Sequence, residues 1–435
     1  MAADFTKLPE GTHTVAMGTG DMNGVMRGKR IPASHWPTIC KNGNAMSIAT
    51  FAIDMTCDVW DTPYVNFDNG YPDMHLFPCS EPVPVPWEEG VAFCIGRTEG
   101  MDHKPVPIDP RGALVDQVER AASMGYTVNV GTELEFYLLD PETKQPRDSG
   151  IQVYSLARAA ELEHVLGPIR SQINEMGIPI EQSNPEYAAG QVEVNIRFDE
   201  ALLAADRVIM FRNLVKELAQ AHGYIATFMA KPLALESGNG FHTHHSLWKD
   251  GANVFSDGGK LSAAGRSYLA GMQSRMAETA LASATTPNAY RRRQPYTFCP
   301  INTCWGIDNR TVGLRVIEGS DSSTRVEKRD GSADCNPYYH IACELAAGLD
   351  GMENNLEPTP MCEGNGYELE DAEPIPADLG TAVELARNSE FMKSVIGEDR
   401  LAILIQQAER ELGFIEEYHA SNLCPVESER YLTNL

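Results

Sequence analysis

A chain of 435 residues exceeds what one small hydrophobic core organises, so two domains are expected. Hydrophobic residues at 43% and charged residues at 22% are ordinary for a folded soluble protein. A net charge of −26 excludes nonspecific binding to nucleic acid, which needs a cationic surface, and describes a solvated acidic shell.

Residues 1–98 are rich in Pro, Gly and aromatics. SIATFAID (47–54) and VAFCIG (91–96) read there as strands joined by turns. HLFPCSEPVPVPWEEG (75–90) holds too many prolines for a central strand or a helix interior and reads as an extended connection. A helix is expected from Pro110 to Gly125, on the spacing of Leu114, Val115, Val118 and Ala121. The domain boundary falls just before it, giving domains 1–107 and 108–435.

Beyond the boundary, strands and helices are interspersed. VNVGTELEFYLLD (128–140) is a strand, LARAAELEHVLGPIRSQINEMG (156–177) one or two helices, and GQVEVNIRF (190–198) a strand. A long amphipathic helix over 201–223 precedes strands at IATFMAKP (225–232) and HTHHSLW (242–248). One helix is expected over 265–284, strands at 303–317 and 324–332, a helix opened by Asn336-Pro337, and a mainly helical tail from Asp378. Strand pairs mixed with long helices predict an α+β fold, not a doubly wound parallel sheet.

The chemistry concentrates around SGNGFHTHHS (237–246). On a strand, His242 and His244 share a face and His245 takes the other. Glu133 and Glu135 alternate in the same way, on a strand whose Val128, Val130, Leu134, Phe136 and Leu138 mark it as buried. A buried pair of carboxylates repels itself unless it is protonated or bridged by cations. With Glu186, Glu193, Glu327 and His242 they form an oxygen-rich set suited to Mg²⁺ or Mn²⁺. Arg292, Arg310, Arg315, Arg325 and Arg329 fall close together and match phosphate or carboxylate groups bidentately. Glutamates, a histidine and arginines at one site are what phosphoryl transfer to a carboxylate uses. No GxxxxGK[ST] loop and no kinase-type glycine loop is present.

DPR (109–111), GTELEFYLLD, NPEYAAGQVEVNIRF, GNGFHTHHSLW, NAYRR (288–292), DNRTVGLRV, RVEKRDGSADCNPY and AAGLDGM, in this order, resemble the glutamine synthetase family, and its γ-glutamyl-amine ligase branch most. The resemblance implies a small β-grasp-like N-terminal domain and a larger catalytic domain built on an antiparallel sheet. It also implies a homododecamer of two hexameric rings with active sites shared between neighbours. By the same resemblance Glu135, Glu186 and Glu193 hold one divalent cation, and Glu133, His242 and Glu327 a second. Glu181 and Phe198 lie around the nucleoside of ATP, with His244, Ser246 and Arg325 near its phosphates. Arg292 and Gly238 take the amino-acid end of L-glutamate, Arg310 and Arg329 its reacting carboxylate, and Arg315 the transferred phosphoryl group.

The match fails on the nitrogen side. Where ammonia-using members carry a flap glutamate, the register falls on Phe298, and the FDGSS segment that offers an ammonium-binding aspartate is missing. Asp54 stands nearby, with Asp58 as fallback. These losses imply an organic amine as nucleophile, with Phe298, Tyr296 and Trp305 lining an apolar pocket. The alternatives are a glutamine synthetase using ammonium and an inactive family member acting as a sensor; retention of all six metal-ligand candidates speaks against the last. Tyr367, aligned loosely with a tyrosine that some bacterial relatives adenylylate, reads as a solvent-facing loop residue. The ten cysteines include no CxxC pair, and neither a signal peptide nor a bilayer-spanning run is seen. A reduced, cytoplasmic protein is expected.

Overall fold

The computed structural model describes residues 5–147 and 153–422 and shows a mixed α+β fold with two main sheets. The first contains β1 (Thr14–Gly20), β2 (Met26–Pro32), β3 (Asn44–Ser47), β4 (Asp73–Pro78), β5 (Val83–Pro84) and β6 (Val91–Glu99), with helix α1 (Trp36–Asn42) beside it. Its order is β2-β1-β6-β4-β3, with β5 on β6; β1 and β6 run parallel and the other pairs antiparallel. Two sequence expectations change here. SIATFAID is no strand, because β3 ends at Ser47 and Ile48–Phe51 is a 3₁₀ turn capped by the Ser47 hydroxyl. The proline-rich segment supplies β4 and the short β5, its prolines standing at strand ends, where a missing N–H costs least.

Helix α2 (Pro110–Ser123) starts where expected. Asp109 caps it by accepting from the Arg111 amide at 2.9 Å, and Pro110 occupies the first turn. The second sheet follows: β7 (Thr127–Leu139), β8 (Ile180–Pro185), β9 (Gln191–Glu200), β10 (Ile225–Thr227), β11 (Gly240–Lys249), β12 (Ala252–Asn253), then the separate hairpin β13 (Ser256–Asp257) and β14 (Lys260–Leu261), and finally β15 (Trp305–Ile307), β16 (Leu314–Ile317) and β17 (Arg325–Ser332). Its central order is β15-β16-β17-β11-β7-β9-β8. All its pairs are antiparallel except β15 with β16. The single strand expected over 303–317 is these two short ones, and β8 was not expected at all: its EQSNP is polar and lacks an apolar alternation.

The helices are α3 (Leu156–Glu175), α4 (Ala201–Ala221), α5 (Ala263–Arg275), α6 (Ala280–Ser283), α7 (Pro287–Tyr290), α8 (Pro337–Glu353), α9 (Leu379–Asn388), α10 (Glu390–Ile396) and α11 (Glu398–Ser421). The helix expected over 265–284 breaks into α5 and α6, whereas α3 continues through Pro168. Even-numbered residues of β7 and β9, such as Leu134, Phe136, Val192 and Val194, pack with α3 and α4 in one core. Val91, Phe93 and Ile95 of β6 belong to the same core, so the two sheets share buried apolar surface across residue 107. Ile403 of α11 joins the core under the first sheet, and Asn336 donates to the Asp21 and Met22 carbonyls at 3.0 and 3.1 Å. Among the described residues, no helix is long and apolar enough to cross a membrane. The nine described cysteines are free thiols; Cys424 lies outside the described residues.

Candidate active site

The site is built on the open face of the second sheet, and strand register brings its residues together. Glu133 stands opposite His242, Glu135 opposite Glu193, His244 opposite Glu327, and Glu327 opposite Arg315. Alternation then decides which side chains meet. Glu133, Glu135, Glu193, His242, His244, Glu327 and Arg329 face the cleft, while their strand neighbours face the helices.

Two hollows lie along this face, and Glu133 borders both. The larger, about 420 Å³, is lined by Glu133, Glu135, Glu186, Glu193, His242, Gly238, Phe298, Arg310, Arg315 and Arg329. The other, about 380 Å³, is lined by Glu133, Glu181, Phe198, His244, Ser246 and Arg325. Of the expected cation and substrate residues, all but the buried Glu327 and Arg292 line the first hollow, and the expected ATP residues line the second. Arg315 sits in the first.

The contacts are dense. His242 Nδ1 lies 3.2 Å from Glu133 Oε2 and 3.7 Å from Glu327 Oε1. His244 Nε2 lies 2.9 Å from Glu133 Oε1 and its Nδ1 accepts from Arg325 Nε at 3.2 Å. Glu327 is fully buried; it accepts from Arg315 Nη1 at 3.0 Å and pairs with Arg329. Arg315 also pairs with Asp308. Burial pushes the Glu327 carboxyl up, but Arg329, His244 and His242 outweigh it and hold it at about 2. Burial likewise opposes the Glu133 charge, and His244 and His242 hold it well below the usual range.

The other acids behave oppositely. Burial, then Glu135, push Glu186 up to about 8; burial, then Glu133, Glu135 and Glu186, push Glu193 up to about 10. Among the described residues neither carboxylate forms an ion pair with Lys, Arg or His. Oxygen-rich donors crowded in this way fit a hard divalent ion. Two sets hold their donor atoms within 4.8 Å of one another: Glu133, Glu193 and His242, and Glu133, His244 and Glu327. His244, expected at the phosphates, shares Glu133 with His242.

Arg292 is also placed differently from the expectation. It lies behind Gly238 and Gly240 and donates to the carbonyls of Asp330 and Arg329 at 3.3 and 3.2 Å. A Cβ on Gly238 would stand 2.7 Å from Arg292 Cγ, so this close approach requires glycine. Asp54 does not join the site within one chain. It is 1% exposed, accepts from the Thr56 and Asp58 amides at 2.8 and 2.9 Å, and lies 3.5 Å from Arg410 of α11. Asp58 is the outward acid, its side chain 75% exposed.

Phe298 lines the cleft and stacks on Tyr187, ring centroids 5.7 Å apart. Its φ of 58° and the φ of 63° at Tyr296 are costly for aromatics. Tyr296 and Trp305 do not line this wall. Tyr296, 69% exposed, reaches Glu368, and Trp305 is buried with its Nε1 donating to the Thr359 carbonyl at 2.7 Å. Tyr367 is not solvent-facing either: it is half-buried, on a 3₁₀ turn, and donates to the Cys299 carbonyl at 3.2 Å. Gln191 was missed by the sequence reading. Its Nε2 donates to the Gly238 carbonyl at 3.0 Å and to Asn239 Oδ1 at 3.1 Å, and lies 3.4 Å from Glu135, so it ties the glycine loop to the acids. Its place opposite Tyr137, just inside the strand start, was the available signal.

Residues 107–431 match the family model of the glutamine synthetase catalytic domain. The chain belongs to the glutamine synthetase family. It is 35% identical over 401 residues to a glutamate–isopropylamine ligase of Pseudomonas sp., covering 88% of this chain and 87% of that one. It is 35% identical over 415 residues to a γ-glutamylethanolamide synthetase of Streptomyces coelicolor, covering 92% and 89%. A glutamine synthetase of Thermococcus kodakarensis is 31% identical over 428 residues, covering 94% and 91%. A solved ADP complex of GmaS superposes with a TM-score of 0.86 at 29% identity, covering 97% of each chain. The chain is a ligase of the glutamine synthetase type, and the family implies ATP and a divalent metal.

A pH dependence follows from the acid cluster. The raised carboxyls of Glu186 and Glu193 bind protons in the folded chain that the unfolded chain, near 4.5, has released. Metal-free stability therefore falls as pH rises from about 5 through 8, and proton-displacing cations reverse the trend. Calorimetry from pH 6 to 9 should show Tm falling without metal and flat or rising with Mn²⁺.

Proposed function

We propose that this glutamine synthetase family member joins the γ-carboxylate of L-glutamate to an organic amine, a γ-glutamylamide synthetase reaction. The observation that carries the reading is Phe298, stacked on Tyr187 in the cleft wall where ammonia-using members present a carboxylate. An aromatic wall favours an alkyl group and offers an ammonium ion no charge. The two amine-ligase relatives support the same reading, and the 31% identical glutamine synthetase supports the alternative, ammonium.

In this reading, ATP enters beside Phe198, Glu181, Ser246 and Arg325, and glutamate lies beside Gly238 with Arg292 behind the loop. Glu135, Glu186 and Glu193, with Glu133, His242 and Glu327, hold the cations. Bound Mg²⁺ or Mn²⁺ neutralises the phosphate oxygens of the nucleotide. Arg310 and Arg329 orient the γ-carboxylate. Its oxygen takes the terminal phosphoryl group as ADP leaves, and Arg315 stabilises the transferred charge. The amine then attacks the carbonyl carbon of γ-glutamyl phosphate and expels inorganic phosphate. Enclosing the acyl phosphate limits its hydrolysis. The acid offered to a neighbouring subunit, first read as Asp54, is in this reading Asp58, since Asp54 is buried while Asp58 is exposed. In the same reading the chain forms a homo-oligomer of two stacked rings, and residues 1–107 and 108–435 are its two domains.

Phosphate release with ATP, Mg²⁺ and L-glutamate, tried with ammonium, methylamine, ethanolamine, putrescine, isopropylamine and aniline, tests the reading. A clear preference for an organic amine is expected; a clear preference for ammonium refutes it. Gln191→Ala frees the Gly238 loop and should raise KM for glutamate about tenfold with little change in kcat, the effect of one lost buried hydrogen-bonding group.

A further inference from the structure

The helix-facing side of the second sheet carries a set of charges that the reaction does not use. On β11, Thr243 and His245 point away from the cleft; on β17, so does Lys328. All three meet one carboxylate, Glu344, on α8. Thr243 Oγ1 donates to it, lying 2.9 Å from each oxygen. His245 Nε2 lies 2.9 Å from Oε2, His340 Nε2 2.9 Å from Oε1, and Lys328 Nζ 3.6 Å from Oε1. Asp330 backs Lys328 at 2.6 Å. Glu344 is 2% exposed, and Ile341, Leu345 and Leu349 around it on α8 are buried apolar residues. Leucine there would avoid the cost of desolvating a carboxylate. Burial raises the carboxyl, yet His340, Lys328 and His245 hold it well below its usual range, so the charge is kept.

The positions of these contacts give the charge a purpose. Thr243 stands between His242 and His244, and Lys328 follows Glu327. Glu344 therefore grips β11 and β17 one residue away from three candidate cation ligands, from the opposite face. The two strands pair irregularly at this point, with a register shift between Phe241 and Thr243, so backbone hydrogen bonds alone do not set their spacing. We infer that Glu344 is a positioning residue for the cation site, holding β11 and β17 from behind so that His242, His244 and Glu327 keep their mutual geometry. The inference rests on reading those three as cation ligands.

Mn²⁺ titration of the full chain, with Tm recorded alongside, tests it in the parent, in Glu344→Gln and in Lys328→Met/Glu344→Leu. Loss of a partner one shell behind a metal site weakens binding about 10- to 100-fold. Both variants should show at least the lower figure, with saturating Mn²⁺ restoring kcat to near the parent value while the metal concentration for half-activation stays raised. The double variant is expected to fold, because it removes both charges of the Glu344–Lys328 pair and leaves Asp330 with Arg293 at 3.9 Å. A folded variant whose Mn²⁺ affinity stays within about twofold of the parent overturns the inference. If Glu344→Gln does not fold, the double variant decides by the same criterion; if neither folds, the network is structural and the inference is wrong. A parent that takes up no Mn²⁺ refutes the cation reading itself, and this inference with it.

Discussion

Glu327→Gln is expected to lower kcat/KM by about a hundred- to a thousandfold, the loss that follows removal of one electrostatic partner from a reacting site. Glu327 is the most connected acid of the cleft. It is fully buried, faces His242 at 3.7 Å, and takes guanidinium groups from both Arg315 and Arg329. Glutamine keeps the shape and loses the charge, so two arginines lose their partner and one cation set loses an anionic donor. The resulting positive potential works against a divalent ion. Mn²⁺ titration should show weakened binding in step with the rate loss, while circular dichroism stays that of the parent. Parent-like kcat/KM at saturating metal would remove Glu327 from the mechanism.

Phe298→Glu is expected to reverse the nitrogen preference. The parent wall of Phe298 and Tyr187 is apolar and covers the alkyl part of an amine. At about 0.8 kcal/mol per buried methylene-sized group, a three-carbon amine draws roughly 2 kcal/mol from it. Removing that wall lowers kcat/KM for isopropylamine about thirtyfold. The new carboxylate attracts ammonium and accepts its proton, so kcat/KM for ammonium rises. Backbone strain is the same in parent and variant, since neither side chain suits a φ of 58°. Parallel kinetics with the two nitrogen sources read the change directly. An unchanged ratio would make Phe298 a wall of the fold and return the ammonium-using alternative.

The period-two spacing of chemical side chains was legible without coordinates. Glu133 with Glu135, His242 with His244, and Glu327 with Arg329 each sit two apart in strands whose intervening residues face the other way, and each pair does share the cleft face. The helix start at Pro110 was equally plain, because a first-turn proline acts locally. Local patterns of this kind depend on neighbours in sequence. Pairing across strands does not. Only the register places Glu193 opposite Glu135 and His244 opposite Glu327, and so brings His244 to Glu133 beside His242. Asp54 offered the right residue type at a plausible position, but its carboxylate is spent on the Thr56 and Asp58 amides and on Arg410, which is more than 350 residues away along the chain. Trp305 and Phe298 looked interchangeable as aromatic wall residues; one is buried against Thr359 and the other lines the cleft. Glu344 drew no attention in an apolar helix, because a buried charge is explained only by its partners, and His245, Lys328 and Thr243 come from two other strands. The sequence by itself determined the long elements, their faces and the kind of chemistry, since these follow from local spacing and residue type. The tertiary structure alone decided which acids meet and which are neutralised, because charge interactions depend on distances that long-range strand pairing sets.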